Sequence, residues 1–262
     1  MHYLYFIKVR VLLSLTYRFE TLSTVFIQLI LLVINSFFWK AVYGNSTGTS
    51  DISLEQMLIY TVISSLMSSF FCKSVENVIR NKVREGNVAV DLIKPLDMFG
   101  MYFASDVGDI IVNLCLKALP MFIFASIFIA IPVPASFFHL LLFLLSVIVS
   151  FLIIWLIAAI FGMINFWVID IGPLGGVKDY IITFLSGSIV PTWFFPDWAA
   201  KILTFTPFIY IYQMPISIFI GKTGLLEGLY GIGIQSLWCF LFFALFTFMK
   251  RKTVSSLIVQ GG

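Results

Sequence analysis

Long apolar runs dominate the chain, and short polar stretches separate them. Six runs approach or exceed the roughly 20 residues that a helix needs to cross a bilayer, at about 20–42, 54–72, 103–131, 136–168, 177–195 and 226–249. The runs are continuous, whereas the strands of an outer-membrane barrel alternate between apolar and polar positions. The pattern therefore predicts an all-α integral membrane protein with six transmembrane helices, formed as one domain over residues 1–262.

Prolines interrupt the fifth run and the segment that follows it. Pro191 breaks the run, and Pro196 and Pro207 enclose a stretch of about ten residues, too short to cross a membrane. Asp197 is expected to cap a short helix there. Irregular backbone at membrane depth needs protein or water to satisfy its polar groups. We therefore expect an outer re-entrant hairpin over residues 191–222; an aromatic-capped loop end is the alternative.

Charge sets the orientation. The chain is 60% hydrophobic and 11% charged, far below the roughly 25% charged residues of soluble domains. With a cytoplasmic N-terminus, the inner segments hold twelve Lys and Arg residues and the outer segments three, while Lys117 lies within a span. Because basic residues concentrate in cytoplasmic loops, both termini are predicted to face the cytoplasm.

The N-terminal residues form an amphipathic pattern. Arg10, Ser14 and Arg18 recur on one helical face, which favours an interfacial helix over residues 1–19. Lys8 and Arg10 interrupt the apolar run, and no small-residue cleavage pattern follows, so a cleavable signal is not predicted. A plain basic tail is the alternative.

Residues 73–98 hold five basic and four acidic residues, too many for the membrane interior. An apolar stripe nevertheless recurs at helical spacing, at Val75, Val78, Ile79 and Val83. The other side of the helix is expected to carry the polar residues Glu76, Asn77, Arg80 and Arg84. Gly86 is expected to end the helix. The balanced signs of charge favour docking on a soluble partner; a helix lying among lipid headgroups, the alternative, is usually basic.

The third span contains four polar residues on one helical face, Asp106, Asp109, Asn113 and Lys117. Charged residues inside a membrane usually face protein or water and are candidates for function. They could line a translocation path or pair with a neighbouring subunit. Alternatively, the two aspartates lie near the inner interface, and Lys117 snorkels or pairs with Asp109.

Catalytic and metal-binding patterns are missing from the sequence. The chain has two histidines and three cysteines without paired spacing, so no metal site is predicted. "GKT" at 221–223 lacks the first glycine of a phosphate-binding loop, because Ile216 occupies that position. We expect no enzyme activity, no cofactor in this chain and no nucleic-acid partner.

Two stretches carry a family resemblance. "VREGNVAVDLIKPLD" resembles the first cytoplasmic loop of type-2 ATP-binding-cassette (ABC) export permeases, with matches at Gly86, Leu92, Lys94 and Pro95. "FLSGSIVPTWFFPDWAAKILTFTPF" and the residues to Gly221 resemble the extracellular re-entrant helices of the same family. The layout of six spans with both ends inside is also similar.

The resemblance implies a cytoplasmic coupling helix within 73–98 that contacts a separate ATPase. Its contact residues would be Glu76, Arg80, Arg84, Glu85, Gly86, Lys94 and Pro95. It also implies an outer gate formed by Ser186, Gly187, Pro191, Trp193, Phe195, Pro196, Trp198 and Pro207. ATP and Mg²⁺ would be bound by the ATPase subunits.

The function that follows is that of a permease subunit in an ATP-driven exporter. We expect as partners an ABC ATPase dimer, a second permease subunit, identical or related, and membrane lipids of the bacterial cytoplasmic membrane. Spans rich in Phe and Leu suit an amphipathic or apolar cargo, such as a drug, a peptide antibiotic or a lipid. Two other classes stay open: an intramembrane enzyme acting on lipid or peptide, and an ATP-independent channel.

Overall fold

The computed structural model describes residues 7–9, 11–13, 18–44, 52–71, 74–92, 96–168 and 171–260. Helices dominate these residues, and none of them forms a strand, which confirms the prediction of an all-α membrane protein. The predicted interfacial helix over 1–19 lies mostly outside the described residues, although 7–9 and 11–13 are helical.

The helices from residue 18 onward are numbered here in chain order. They are α1 (Arg18–Gly44), α2 (Leu54–Phe70), α3 (Ser74–Arg84), α4 (Val88–Leu92), α5 (Met98–Asn113), α6 (Leu119–Phe128), α7 (Phe137–Ile164), α8 (Gly172–Leu185), α9 (Asp197–Thr204), α10 (Gln213–Phe219) and α11 (Leu225–Gln260). A π-helical turn, Leu114–Ala118, joins α5 to α6. Short 3-10 turns at Thr192–Phe194 and Phe208–Tyr210 lie between α8 and α10.

Local polar residues start several helices. Ser53 and Gln56 form a reciprocal capping box at α2, with the Gln56 N–H donating to Ser53 Oγ at 3.2 Å. At α7, the His139 N–H donates to Ser136 Oγ at 3.3 Å. At α5, the Gly100 N–H donates to a carboxylate oxygen of Asp97 at 2.8 Å. Each cap supplies an acceptor for an N–H group that lacks a partner within the helix.

Five helical stretches among the described residues are long and apolar enough to cross a membrane. They are Thr21–Gly44, Leu54–Arg84, Met98–Phe128, Phe137–Ile164 and Leu225–Thr253. The second of these contains two separate helices, α2 and α3, and Phe71 after α2 is extended. The five stretches cover five of the six predicted spans.

The predicted fifth span, 177–195, corresponds to a shorter helix. α8 has 14 residues and a length of about 21 Å, against the roughly 30 Å of a hydrocarbon core. The expectation that Pro191 breaks this run is wrong, because α8 already ends at Leu185. Gly187 follows with φ +79°, a left-handed conformation that glycine adopts without steric cost. The six-span count stays a prediction.

α7 lies at the centre of the bundle. It packs against α3, α10 and α11, and its Ile153, Ala159 and Met163 are completely buried. α1 lies at the periphery, where Phe26 and Phe37 are exposed. The interior of a bilayer is apolar. We therefore expect such exposed apolar faces to contact lipid or another membrane helix.

The third span changes its helical geometry midway. The π-helical turn Leu114–Ala118 takes an additional residue, and Pro120, which lacks an N–H group, follows it at the start of α6. This turn alters the face on which later residues lie. The regular helical spacing from which Lys117 was predicted to share a face with Asp106 is therefore interrupted, and the shared face stays a prediction.

Candidate functional site

The apolar stripe of α3 packs on the end of α7. Val75 and Ile79 are buried, and Val78 and Val83 are half-buried against the same core, which confirms the predicted stripe. Gly162 of α7 makes the close approach feasible, because a Cβ atom at this position would lie 2.9 Å from Ile79 Cδ1. The two helices are therefore in direct contact along this face.

Glu76 lies on the buried side of α3, so its predicted place on the polar face is wrong. At about 100° per residue, position 76 falls next to position 83 at the edge of the apolar stripe. Its carboxylate accepts a hydrogen bond from Lys178 Nζ of α8, and the two side chains are only 11% and 5% exposed. The Lys178 ammonium also lies 3.3 Å from Asp179 and 5.2 Å from the ring centre of Phe161.

The other end of α3 is open to the surroundings. Arg84 and Glu85 are exposed, and Arg80 is half-buried. The helix ends in a Schellman motif, in which the Asn87 N–H donates to Lys82 O at 2.9 Å and Gly86 has φ +72°. The prediction that Gly86 ends this helix is confirmed, whereas Lys94 and Pro95 lie outside the described residues.

Polar contacts also tie α3 and α4 to α5. The buried Asp91 carboxylate of α4 accepts hydrogen bonds from Lys82 of α3 and from Tyr102 Oη of α5, the latter at 2.6 Å. Lys82 Nζ lies 5.2 Å from the centre of the Tyr102 ring. The short helices α3 and α4 and the third span thus share one buried acid.

Asp106 of the third span is fully enclosed. Its carboxylate accepts hydrogen bonds from Ser74 Oγ, at the start of α3, and from Trp155 Nε1 of α7 at 2.9 Å. Asp109, Asn113 and Lys117 are half-buried. Asp106 thus cross-links three helices, and the pathway role of these four residues stays a prediction.

Ser186 and Gly187 lie at the junction after α8. The Gly187 carbonyl accepts a hydrogen bond from Tyr60 Oη of α2 at 2.6 Å, and the Ser186 carbonyl accepts one from the Gln213 N–H at 3.1 Å. The Gln213 side chain in turn accepts from the Thr192 N–H at 2.6 Å. Protein groups thus satisfy part of the irregular backbone between α8 and α10, residues 186–212 (the broken segment).

The remaining predicted gate residues divide into two groups. Pro191 is buried and Trp193 half-buried, with the Trp193 ring 5.2 Å from the Tyr60 ring and 4.6 Å from Lys222 Nζ. Pro196 and Trp198 are exposed. Phe195 stacks on Phe184 at 5.2 Å, and Pro207 is half-buried.

The short helix expected between Pro196 and Pro207 is present as α9. The expected cap is wrong, because Pro196 occupies the N-cap position and Asp197 is the first helical residue, without a side-chain capping bond. Proline there has no N–H group to leave unsatisfied, and Asp197 can still interact with the positive end of the helix.

A buried amide network connects the broken segment to α7 and α11, and the sequence analysis missed it. Gln235 Nε2, which has two N–H groups to donate, lies 2.7 Å from Tyr210 O, 2.7 Å from Ser150 Oγ and 2.9 Å from Ser146 O. Ser146 Oγ donates back to Gln235 Oε1 at 3.0 Å. A glutamine in the middle of an apolar span was the available signal, because polar groups inside a membrane need partners.

A cavity of about 260 Å³ lies between α2, α7, α8 and the broken segment. Its walls include Ser68, Lys178, Ser188 and Tyr212, with Ser68 Oγ donating to Tyr212 Oη at 3.3 Å. Tyr212 also contacts the Phe71 ring at 5.4 Å, near the end of α2 that leads into α3. Among the described residues, no group of three or more His, Cys, Asp or Glu side chains could hold a metal ion.

Comparison with known proteins identifies the family. Residues 29–261 match the family model described as ABC-2 family transporter protein. No curated protein matches the chain closely enough to count as a relative. The match covers most of the chain, including all the membrane stretches except the start of the first. This multi-pass membrane protein therefore belongs to the ABC-2 family of transporter proteins, as a membrane component of the permease type.

Proposed function

We propose that the chain is the permease subunit of an ATP-driven exporter of the bacterial cytoplasmic membrane, with both termini in the cytoplasm. The observation that carries this proposal is the geometry of α3, which is packed firmly on the membrane helices along one side and carries exposed charges at its end. Arg84 and Glu85 provide a surface of mixed charge for a soluble ATPase dimer. ATP and Mg²⁺ are bound by that partner.

The contacts of α3 are suited to transmitting force. Its packing reaches α7 through Gly162, α8 through the Glu76–Lys178 pair and α5 through Ser74 and Asp106. A displacement of the exposed end of α3 therefore acts on three membrane helices at once. Close-packed protein interiors have low compressibility and transmit such displacements.

The path from α8 outward supports a gate in the broken segment. α8 carries Lys178 in its second turn and ends next to Ser186 and Gly187, which bond to α2 and α10. The Tyr210 carbonyl accepts a hydrogen bond from Ser150 Oγ at 3.1 Å, about halfway along α7. A segment that reaches this depth between α9 and α10 favours a re-entrant hairpin over a surface loop.

The cargo we propose is amphipathic or apolar, such as a drug, a peptide antibiotic or a lipid. The described spans expose Phe, Leu and Ile, while their polar side chains are largely taken up by contacts within the bundle. A second permease subunit, identical or related, would complete the path. The acid that an intramembrane enzyme would most need, Asp106, is engaged by Ser74 and Trp155, which gives that alternative no support.

The test is ATP hydrolysis and transport in proteoliposomes that contain the chain and its ABC ATPase. The charge reversals Arg84→Glu and Glu85→Arg should lower transport and cargo-stimulated hydrolysis, because both residues are exposed at the end of α3. Lys40→Glu, a reversal at an exposed position of α1 outside the proposed gate, is the matched control and should leave both unchanged. Normal assembly and turnover in the α3 variants would overturn the assignment.

A further inference from the structure

A lateral groove of about 780 Å³ lies between α5, α7 and α11. Aromatic rings form much of its wall, with Phe99 5.1 Å from Phe246, and Trp155 5.8 Å from the same Phe246 ring. Phe240 and Phe243 of α11, at its edge, are exposed. The groove is of the size of small-molecule sites and opens sideways, where the membrane would contact the helices.

One ion pair lies at the end of this apolar groove. Lys250 Nζ of α11 contacts Asp97 Oδ1 at the start of α5, and both residues line the groove. Their side chains are 33% and 44% exposed, so the pair remains accessible from outside. The other oxygen of Asp97 caps α5 through the Gly100 N–H at 2.8 Å, which holds the carboxylate in place.

The position of the pair matches the interface of a membrane. Asp97 immediately precedes one membrane stretch, and Lys250 lies near the end of another, so both are at the same end of the bundle. The aromatic wall extends from the pair toward the middle of both helices. An apolar cleft that ends in charge at the interface complements a molecule with an acyl chain and a polar head.

The arrangement of charges favours one class of lipid headgroup. An ammonium beside a carboxylate complements a headgroup that carries both a phosphate and a primary amine: Lys250 can donate to the phosphate, and Asp97 can accept from the amine. A choline head has no N–H group to donate, and a glycerol head has no cation. Because exposed ion pairs are weak, the direct Asp97–Lys250 contact opens at little cost.

We propose that this groove binds one phosphatidylethanolamine molecule, with an acyl chain along the aromatic wall and the phosphoethanolamine between Asp97 and Lys250. A second copy of the chain is the less suitable occupant. Its transmembrane helix would cover the Asp97–Lys250 pair and remove it from the water at the membrane surface, which is unfavourable for charged groups. The site needs neither ATPase nor cargo, so its failure would leave the proposed transport function intact.

The experiment uses the purified full chain in nanodiscs with equal amounts of phosphatidylethanolamine, phosphatidylcholine and phosphatidylglycerol of identical acyl chains. Each lipid in turn carries a photoactivatable acyl chain, and mass spectrometry maps the cross-links. We expect cross-links at Phe240 and Phe243, with phosphatidylethanolamine favoured about three- to tenfold over each of the other lipids. Native mass spectrometry of the released complex should show one retained phosphatidylethanolamine.

Two conservative variants test the headgroup contact. Asp97→Asn keeps an amide oxygen for the helix cap but removes the charge, and Lys250→Gln removes the opposite charge. Both variants should reduce the preference for phosphatidylethanolamine over the other two lipids to about onefold, because the charge contacts with its headgroup are lost. Asp197→Asn and Lys201→Gln on α9 are the matched controls and should retain it. Equal labelling by the three lipids, a preference for phosphatidylglycerol, or cross-links from a second protein copy in the groove would overturn the proposal.

Discussion

The buried Glu76–Lys178 pair makes the attachment of α3 to α8 testable by a single substitution. Lys178→Met keeps the volume and the apolar stem of the side chain but leaves the Glu76 carboxylate in a site where its side chain is only 11% exposed. Breaking such a buried pair by removing one partner typically costs about 3–5 kcal/mol of unfolding free energy. An exposed pair contributes about 0.2–1 kcal/mol.

The two halves of the pair should not be equivalent. In Glu76→Gln, the Lys178 ammonium retains the Asp179 carboxylate, which lies 3.3 Å away in the native protein. In Lys178→Met, the charge left without this partner is the Glu76 carboxylate, which is buried against the bundle. We therefore expect Lys178→Met to be the more destabilising of the two single variants.

Unfolding in mixed micelles, followed by tryptophan fluorescence, measures these differences. Replacing both partners, Glu76→Leu with Lys178→Met, should recover at least about 2 kcal/mol, because an apolar pair of similar volume leaves no charge buried. Lys250→Met, at the exposed pair with Asp97, is the control and should cost less than about 1 kcal/mol. A cost below 1 kcal/mol for Lys178→Met, or additive effects in the double variant, would refute the reasoning.

Three further predictions concern the packing and the backbone. Gly162→Leu should destabilise the protein by about 1–3 kcal/mol and weaken ATPase stimulation, because the added side chain overlaps Ile79 of α3; unfolding and hydrolysis assays measure both effects. Gln235→Leu should cost about 1–3 kcal/mol in the same unfolding assay, because the Tyr210 carbonyl and two serines lose a buried partner. Gly86→Ala should cost about 1–2 kcal/mol, since φ is +72° there, and should raise amide exchange in the last turn of α3.

Each of these substitutions has a matched control. Gly233→Leu on α11 adds the same side chain where no atom lies within 4 Å of a Cβ, so it should be neutral. Gly86→Asn should cost less than Gly86→Ala, because asparagine tolerates the left-handed conformation better. Thr247→Val, at a half-buried position of α11 where the hydroxyl bonds within its own helix, is the control for the fully buried Gln235 and should cost less. If each control is as damaging as its partner substitution, the contacts named above are not the cause.

The sequence was informative where a local pattern determines the structure. The stripe at Val75, Val78, Ile79 and Val83 predicted the buried face of α3, because helical period alone selects that face. Gly86 predicted the end of the same helix through its conformational freedom. The apolar runs predicted the long membrane helices, since the bilayer imposes their length.

The sequence was less informative where contacts between residues far apart in the chain determine the structure. Glu76 looked like a polar-face residue because its partner, Lys178, is far along the chain and inside another predicted segment. The end of α8 depends on Gly187 and on a hydrogen bond from Tyr60. The role of Asp106 depends on Ser74 and Trp155, neither of which lies at a helical spacing from it. Such long-range pairs cannot be inferred from periodicity.

Site-specific photo-cross-linking tests the central claim, that the end of α3 contacts an ABC ATPase. A photoreactive amino acid at position 85, where the native glutamate is exposed, should cross-link to the ATPase in the intact membrane complex. The same group at position 198, exposed on α9, should not. An intact complex with no cross-link from position 85, or with equal cross-links from both positions, would contradict the account.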